Sequence, residues 1–267
     1  MTLNRRDLMK ITLAEAGLLA VFRPGIATSS MKKSPATKTA IDILIVGAGN
    51  AGIPAAIQAA DLGANILLVD KNAFVGGMLN ISGGHISGAN TKMQIAKGIE
   101  DSPSLHYRDA MRMGRYKNNS ELLKLAVDNA AAMIDWLAEI GVEFTPESPF
   151  FEDDHEHYSA ARTYMGPEYA RSLLKPLKAE LQRRIDKGQV TLQLNTTVNQ
   201  LLQDDDGQVL GAVATDESGQ KLRILAKAVI MATGGYGASD TLKKKYNPKI
   251  VGSKVVCLPH ATGDGIV

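Results

Sequence analysis

The chain has 267 residues, of which 45% are hydrophobic, and a formal net charge of +2. This is the composition of a globular protein with one large domain or two small ones. Its single cysteine, Cys257, excludes an intramolecular disulfide and any multi-cysteine metal or iron–sulfur site. Residues 28–267 carry equal numbers of basic and acidic side chains, so the charge indicates no nucleic-acid partner.

The N-terminal segment predicts export. Arg5 and Arg6 precede a modestly apolar stretch, residues 11–22, and the pattern resembles a twin-arginine signal. This stretch is too short and too polar for a stable membrane span. We therefore expect residues 1–27 to be a twin-arginine signal peptide, residues 28–40 to be a linker, and the protein to be periplasmic or otherwise extracytoplasmic. A partly disordered amphipathic tail is the alternative.

An apolar strand, residues 41–46, runs into a Gly-x-Gly-x-x-Gly turn and then an alanine-rich helix over residues 51–62. Gly47 allows the tight turn, Gly49 lets a pyrophosphate approach the backbone, and Gly52 lets the helix pack close to the sheet. The amides at the start of such a helix favour a phosphate. The pattern predicts a dinucleotide-binding unit.

The next strand, residues 65–69, ends in Asp70, where an acid can accept both hydroxyls of an adenosine ribose. A 2′-phosphate would be repelled there, so FAD or NAD is favoured over NADP. The alternative, that the glycines are only turn residues of an ordinary α/β unit, conflicts with strand, helix, second strand and acid all standing in register.

Residues 74–88 contain too much glycine for a helix or an ordinary strand, which indicates backbone lying against a flat or phosphorylated ligand. A flexible surface loop is the alternative. Beyond it, the periodicity predicts a helical stretch, then a short strand with a loop, an irregular polar segment and another helix. These predicted elements are helices over 105–113 and 120–140, the strand and loop over 141–151, the irregular segment 153–169, and a helix ending near 187.

The hydrophobic period then changes to two, which indicates a β-meander that leads back to the sheet through a second glycine turn at residues 233–237. Turns rich in aspartate and glycine separate the strands. The predicted strands are 189–194, 198–203, 208–215, 221–225 and 228–232.

Four motifs occur in order, and together they resemble the fumarate reductase/succinate dehydrogenase flavoprotein family, the FAD-dependent oxidoreductase 2 family. The similarity is greatest to its soluble branch of flavocytochrome fumarate reductases, urocanate reductases and ketosteroid dehydrogenases. The motifs are Gly47–Gly52 with Asp70 and Lys71, Gly76–Gly77 with Ser82–Gly84, Ala232–Gly237, and Ala261–Gly265.

The resemblance covers residues 40–267 and implies non-covalent FAD. The fold that it implies is α/β: a glutathione-reductase-like FAD-binding Rossmann domain with a β-meander and a helical insertion. The cofactor-binding residues implied are Gly47, Gly49, Asn50, Ala51, Gly52, Asp70, Lys71, Gly76, Gly77, Met78, Leu79, Ser82, Gly83, Gly84, Val198, Ala232, Thr233, Gly234, Thr262, Gly263 and Asp264.

In the adenosine half, the resemblance implies that Ala51 and Asp70 hold the pyrophosphate and the ribose. Val198, before the meander, would bond the adenine through its main chain. Family members usually carry glutamate at the position of Asp70, and the shorter acid implies weaker binding. The membrane-bound branch attaches FAD covalently through a histidine near position 80; this chain has Asn80 there, so we expect non-covalent binding.

In the flavin half, backbone at Met78, Leu79 and Gly84 would line the isoalloxazine, with Asp264 on the flavin side. His85 is a candidate for polarising a substrate carbonyl, although a merely packed or solvated histidine is the alternative. Arg162 is a candidate for contacting a carboxylate substrate. We assign no catalytic residue and no metal site, because the histidines and acids of 152–158 fit a solvated loop.

In the family, a capping domain that supplies a catalytic arginine follows the fourth motif. We therefore expect residues 41–267 to form an FAD-binding domain that is incomplete at its C-terminus and truncated before the capping domain, with weak FAD binding and little turnover alone. The expected function is hydride transfer between flavin N5 and a C=C bond of a small carboxylate or enone. A truncated FAD-binding module without activity, or an NAD-binding dehydrogenase domain, is the alternative.

The sequence identifies neither the substrate nor the electron partner. It contains no Cys-x-x-Cys-His motif for haem attachment, so we expect electrons to come from a separate carrier.

Overall fold

The structure, a computed structural model, describes residues 41–153 and 155–266. The predicted signal peptide, residues 1–27, and the predicted linker, residues 28–40, lie outside these described residues. None of the described helices is long and apolar enough to cross a lipid bilayer.

The described elements alternate between strands and helices and then become mostly strands. In chain order they are β1 (Ile41–Val46), α1 (Gly52–Asp61), β2 (Ile66–Val69), β3 (Ile86–Ser87), α2 (Lys92–Ala96), α3 (Pro103–Met113), α4 (Ser120–Glu139), β4 (Thr163–Tyr164), α5 (Ala170–Asp186), β5 (Val190–Gln193), β6 (Thr197–Gln203), β7 (Val209–Thr215), β8 (Lys221–Met231) and α6 (Asp240–Tyr246), with 3₁₀ turns at Gly77–Asn80 and Pro248–Ile250.

One six-stranded sheet organises the fold, in the order β5-β2-β1-β8-β7-β6. The pairings among β5, β2, β1 and β8 are parallel, whereas β8, β7 and β6 form the antiparallel meander. The prediction of two strands at 221–225 and 228–232 is wrong, because β8 is continuous. Its first half pairs with β7 and residues from 226 onwards pair with β1, since no glycine or proline interrupts it.

The core lies on both faces of the parallel strands. One apolar cluster joins β1 and β2 to α1 and α5, and it includes Ile45, Ile57 and Leu177. A second cluster lies beneath the meander, where Leu44 of β1 meets Ala212 of β7. Strands that are buried on both faces read as continuous apolar runs, which explains the sequence of β1 and β2. Because β1, β2 and β8 run parallel to one another, their carboxyl ends meet at one edge of the sheet.

A helical insertion separates β2 from α5, and its three helices are α2, α3 and α4. The predicted helices 105–113 and 120–140 are confirmed as α3 and α4. The strand predicted within 141–151 is absent, apart from a single bridge between Phe150 and Thr163. The sequence analysis missed α2, although Thr91 and Gln94 form a capping box that marks where it starts.

Arg162 holds this insertion together from its interior. Its side chain is fully buried and donates to both oxygens of Asp101 at 2.9 and 2.8 Å. It also pairs with Asp109 at 3.0 Å and lies over the ring of Tyr158, 4.9 Å from its centroid. Asp109 is held further by the amide and hydroxyl of Ser159. The desolvation of these charges is compensated only because they are paired with one another.

His106 lies beside this ion cluster and is buried as well. Its ring meets that of Tyr158 edge to face, with centroids 5.6 Å apart. Burial, reinforced by the positive charge of Arg162, lowers the pKa of His106 to about 4. The imidazole is therefore neutral at pH 7 and adds no second positive charge beside Arg162.

We predict that Arg162→Leu lowers the free energy of unfolding by about 3–5 kcal/mol, because it leaves the buried carboxylate of Asp101 without a cation and leaves Asp109 with only the more distant Arg112, at 3.5 Å. Urea unfolding at pH 7, followed by circular dichroism, measures the change. The matched control is Arg108→Leu on the exposed surface of α3, which should change the free energy by less than about 0.5 kcal/mol. Equal effects of the two variants would contradict a structural role for Arg162.

We also predict that the free energy of unfolding falls by about 3 kcal/mol between pH 6.5 and pH 4 through His106 alone. The folded pKa lies below the ordinary value of 6.5, so only the unfolded chain takes up the proton in this window. Urea titrations between pH 6.5 and pH 4 should show this fall in the free energy of unfolding in the wild-type chain. The contribution of His106 to the slope of that free energy against pH should be lost in His106→Phe. An unchanged slope in the variant would show that other groups cause it.

Candidate cofactor site

A groove opens at the edge where the carboxyl ends of β1, β2 and β8 meet. A ligand site at this edge of a parallel sheet is typical of α/β proteins. The predicted cofactor residues that line it are Gly47, Gly49, Asn50, Asp70, Lys71, Gly77, Met78, Val198, Ala232, Thr233, Gly234 and Asp264.

The three glycines of the first turn have different surroundings. A Cβ on Gly52 would lie 1.7 Å from the carbonyl oxygen of Gly47, and a Cβ on Gly47 would lie 2.3 Å from that of Ala232. Gly47 also has φ of +109°, which favours glycine. A Cβ on Gly49 would meet nothing nearer than Gly77 Cα at 3.9 Å. Two glycines therefore serve the packing of the protein, and Gly49 leaves space that belongs to the groove.

Asp70 is buried, and three hydrogen bonds fix its carboxylate. Oδ2 accepts from the amide of Ala48 at 2.7 Å. Oδ1 accepts from the amide and the side-chain nitrogen of Asn72, both at 2.8 Å. A carboxylate offers about four acceptor positions, so one remains for a ribose hydroxyl.

The third and fourth motifs meet the first two across the groove. The amide of Ala232 donates to the carbonyl of Val46 at 2.8 Å, which places the second glycine turn beside the first. Lys71 reaches the hydroxyl of Thr262 at 2.6 Å and the carboxylate of Asp264 at 2.7 Å. Partial burial acts to raise the pKa of Asp264, but the hydrogen bonds from Lys71 and Thr262 outweigh it and hold that pKa below its usual value.

Several predicted cofactor residues lie next to the groove and not on its wall. For two of them, Gly84 and Gly76, close packing explains why the position requires glycine. A Cβ on Gly84 would lie 2.5 Å from the amide of Ala170, and one on Gly76 would lie 2.8 Å from a methyl of Leu174, so the loop lies against α5. The predicted residues outside the groove lining are Ala51, Gly52, Gly76, Leu79, Ser82, Gly83, Gly84, Thr262 and Gly263.

The two predicted substrate residues also lie outside the groove lining. Arg162, predicted to contact a carboxylate, is instead enclosed in the ion cluster of the insertion, where no substrate can reach it. His85 is partly exposed and lies 3.3 Å from a carboxylate oxygen of Glu152 through Nδ1, and 3.0 Å from the sulfur of Met165 through Nε2. Among residues 41–153 and 155–266, no group of three potential metal ligands is found.

The groove also contains residues that the sequence analysis missed. Thr196 and Thr197 lie at the start of β6, and Val198 belongs to that strand and does not precede the meander. Asn72 follows the acid of β2 by two positions, and this Asx-type bonding to Asp70 is a local signal that could have identified it. Leu258 could not have been found, because its approach to the groove depends on chain folding after β8.

A family model described as FAD binding domain matches residues 42–267. The chain belongs to this family. Its cofactor is accordingly FAD, and the predicted resemblance and fold class are confirmed.

The relatives include a probable fumarate reductase of Shewanella frigidimarina, 34% identical over 84% of this chain and 37% of the relative. A urocanate reductase of Eggerthella lenta is 31% identical over 93% of this chain and 43% of its own length. The open conformation of a flavocytochrome c3 fumarate reductase superposes with a TM-score of 0.76 and 28% identity, covering 98% of this chain and 42% of that one. The chain thus spans about two fifths of the length of these proteins.

The residues present fit an FAD molecule. The space beside Gly49 lets a pyrophosphate reach the backbone where α1 begins, and Asp70 keeps an acceptor for the ribose. More than half of the residues that line the groove are glycine, alanine, threonine or valine, whose small side chains leave room for a long, flat ligand.

We predict that Gly52→Ala and Gly49→Ala separate folding from binding. Gly52→Ala forces a Cβ into the Gly47 carbonyl and should lower the free energy of unfolding by more than about 3 kcal/mol. Gly49→Ala should fold with nearly unchanged stability but lose at least about tenfold in FAD affinity, because its methyl occupies the groove. Thermal unfolding of the apo chain and flavin-fluorescence titration measure the two effects. A large stability loss in Gly49→Ala would contradict this assignment.

Proposed function

We propose that this chain is the cofactor-binding part of a fumarate-reductase-type oxidoreductase. When bound, FAD supplies hydride transfer through its N5 atom to or from a C=C bond of a small carboxylate or enone. The observation that carries the proposal is the convergence of four separate motifs, from Gly47 to Asp264, on one groove. The names of the similar proteins, fumarate reductases and a urocanate reductase, support this substrate class.

The residues of the chain would orient the cofactor along the groove. The turn at Gly47 and Gly49 would receive the pyrophosphate on its main chain, and Asp70 would accept a ribose hydroxyl. Val198 would bond the adenine through its backbone at the far end of the groove. At the other end, backbone around Met78 would lie against the isoalloxazine, with Asp264 nearby.

His85 is the side chain that we propose to reach the substrate. Its Nδ1 lies 3.3 Å from Glu152, whose carboxylate is mostly buried and would fix the orientation of the ring. In the arrangement described here, Nε2 contacts the sulfur of Met165. A small rotation of the ring would exchange that contact for a substrate carbonyl. His85 would then polarise the substrate, and Glu152 would position His85.

A second reading is a module that binds FAD without catalysing turnover. It is favoured by the position of Arg162, since the arginine expected to contact a carboxylate is buried and no other arginine lies among the described residues of the groove wall. For the oxidoreductase we propose a separate electron carrier, which is supported by relatives named as cytochrome-linked fumarate reductases. Export by the twin-arginine route stays a prediction of the sequence.

The test begins with the purified chain mixed with FAD and passed through a gel-filtration column. We predict that flavin absorbance co-elutes with the folded protein and is released by acid precipitation, as expected of non-covalent binding. The complex is then reduced without oxygen and mixed with fumarate, urocanate or an enone, and the return of flavin absorbance near 450 nm is followed. Reoxidation faster than that of free reduced FAD would support the oxidoreductase.

A control with His85→Asn distinguishes the proposed substrate contact from general reactivity of the flavin. The variant should bind FAD like the wild-type chain. Its bound reduced flavin should be reoxidised more slowly by the enone, whose carbonyl His85 would polarise. Bound flavin that none of the acceptors reoxidises would favour the module without turnover. Protein that elutes without flavin would contradict both readings of this chain as a self-sufficient cofactor domain.

A further inference from the structure

Lys71 joins two cofactor motifs that lie far apart in the chain. It follows Asp70 at the end of β2, yet its ammonium contacts Thr262 at 2.6 Å and Asp264 at 2.7 Å, more than 190 positions later. The hydroxyl of Thr262 in turn donates to the other oxygen of Asp264 at 2.6 Å. We call these three side chains the Lys71 clasp.

The clasp lies at the groove itself. Lys71 and Asp264 both line the groove, from the β2 side and from the segment that follows β8. The segment 254–266 otherwise bonds mainly within its own part of the chain, as in the bond from Ala238 to Ala261. Among the described hydrogen bonds, its remaining link to residues before β8 is the bond from the amide of Leu258 to the sulfur of Met78, at 3.4 Å.

The local geometry explains why the turn needs an external tether. Gly263 has φ of +80°, and a Cβ on it would lie 2.4 Å from Leu242, so the turn is closely packed on α6. That contact fixes the turn relative to the segment after β8 but not relative to β2. Lys71 supplies this second attachment. Its side chain is three-quarters covered, whereas that of Asp264 is 42% exposed, so the pair remains open to screening by salt.

We propose that Lys71 is a positioning residue that holds the turn 262–264 across the groove and so slows the release of bound FAD. It acts on the cofactor through Thr262 and Asp264 and not by contacting a phosphate itself. This inference concerns retention of the cofactor and is independent of the reaction proposed above.

The experiment measures the FAD dissociation rate in a stopped-flow instrument, with an excess of an apoflavoprotein as a trap for released flavin. Lys71→Met should release FAD about fivefold faster than the wild-type chain. Lys71→Arg, which keeps the charge and the donors, should release FAD at nearly the wild-type rate. Raising the salt concentration should accelerate release from the wild-type chain and have little effect on Lys71→Met, because the screened pair is already absent.

A matched control is Lys227→Met, which removes an ion pair of the same length, 2.7 Å to Asp42, between β8 and β1 and away from the groove. It should release FAD at the wild-type rate. A rate for Lys227→Met equal to that of Lys71→Met would mean that any lost surface ion pair loosens the cofactor, and it would overturn the proposal.

Thr262→Val separates the clasp from a direct phosphate contact of Lys71. If the clasp acts as one unit, Thr262→Val accelerates release, and the double variant with Lys71→Met is no faster than the faster single variant. If Lys71 contacts a phosphate, the two effects add, or Thr262→Val has none; either result overturns the proposal. An unchanged rate in Lys71→Met does the same.

A second measurement does not depend on FAD. In the apo chain, loss of the clasp should make local opening of the already exposed segment around Lys254 more frequent, so trypsin should cleave after Lys254 faster in Lys71→Met than in the wild-type chain or in Lys227→Met. Mass spectrometry of timed digests identifies the cut. Equal cleavage rates in all three proteins would show that Lys71 does not hold the segment, even if Lys71→Met binds no FAD at all.

Discussion

The contact between the carbonyl of Gly47 and the backbone of Gly52 is the constraint on which the site depends. No side chain fits between them, so α1 starts directly over the end of β1. The same turn is closed from the other side by the carbonyl of Ala232. Three stretches of main chain therefore meet without intervening side chains, and the groove beside them is walled by peptide groups that can face a phosphate.

This packing requires β8 to lie next to β1, and the double pairing of β8 provides it. One half of the strand belongs to the meander and the other half to the parallel sheet, so the meander is attached rigidly to the nucleotide-binding unit. The arrangement places Val198 of β6 on the groove together with Asp70, which directly follows β2. An adenosine would thus be held between two parts of the sheet that are remote in sequence, which makes the site a property of the whole fold.

The features of the fold and of the site that can be predicted from the sequence are those whose pattern lies within one short stretch of the chain. The glycine turn, Asp70 and the periods of the helices are encoded within a few residues of each other, and the structure places them as expected. The position of Arg162 could not be predicted, because its partner Asp101 lies 61 residues earlier and a buried arginine looks like any polar residue of a loop. The continuity of β8 was missed for a similar reason: its change of partner leaves no mark in the sequence.

The hydrogen bonds of Asp70 show how a short acid could serve at the position where the resemblance implies a glutamate. The amide of Ala48 and both nitrogens of Asn72 hold the carboxylate against the glycine turn, so the acid first stabilises the turn and then offers its remaining acceptor to the ligand. A glutamate would extend a further methylene into the groove and reach a ribose with more freedom. Because the aspartate is fixed by three donors, it would lose little entropy on binding a ribose hydroxyl, and its charge would repel a 2′-phosphate. The hydrogen bonds that shape the turn would thus also disfavour a ligand that carries a 2′-phosphate.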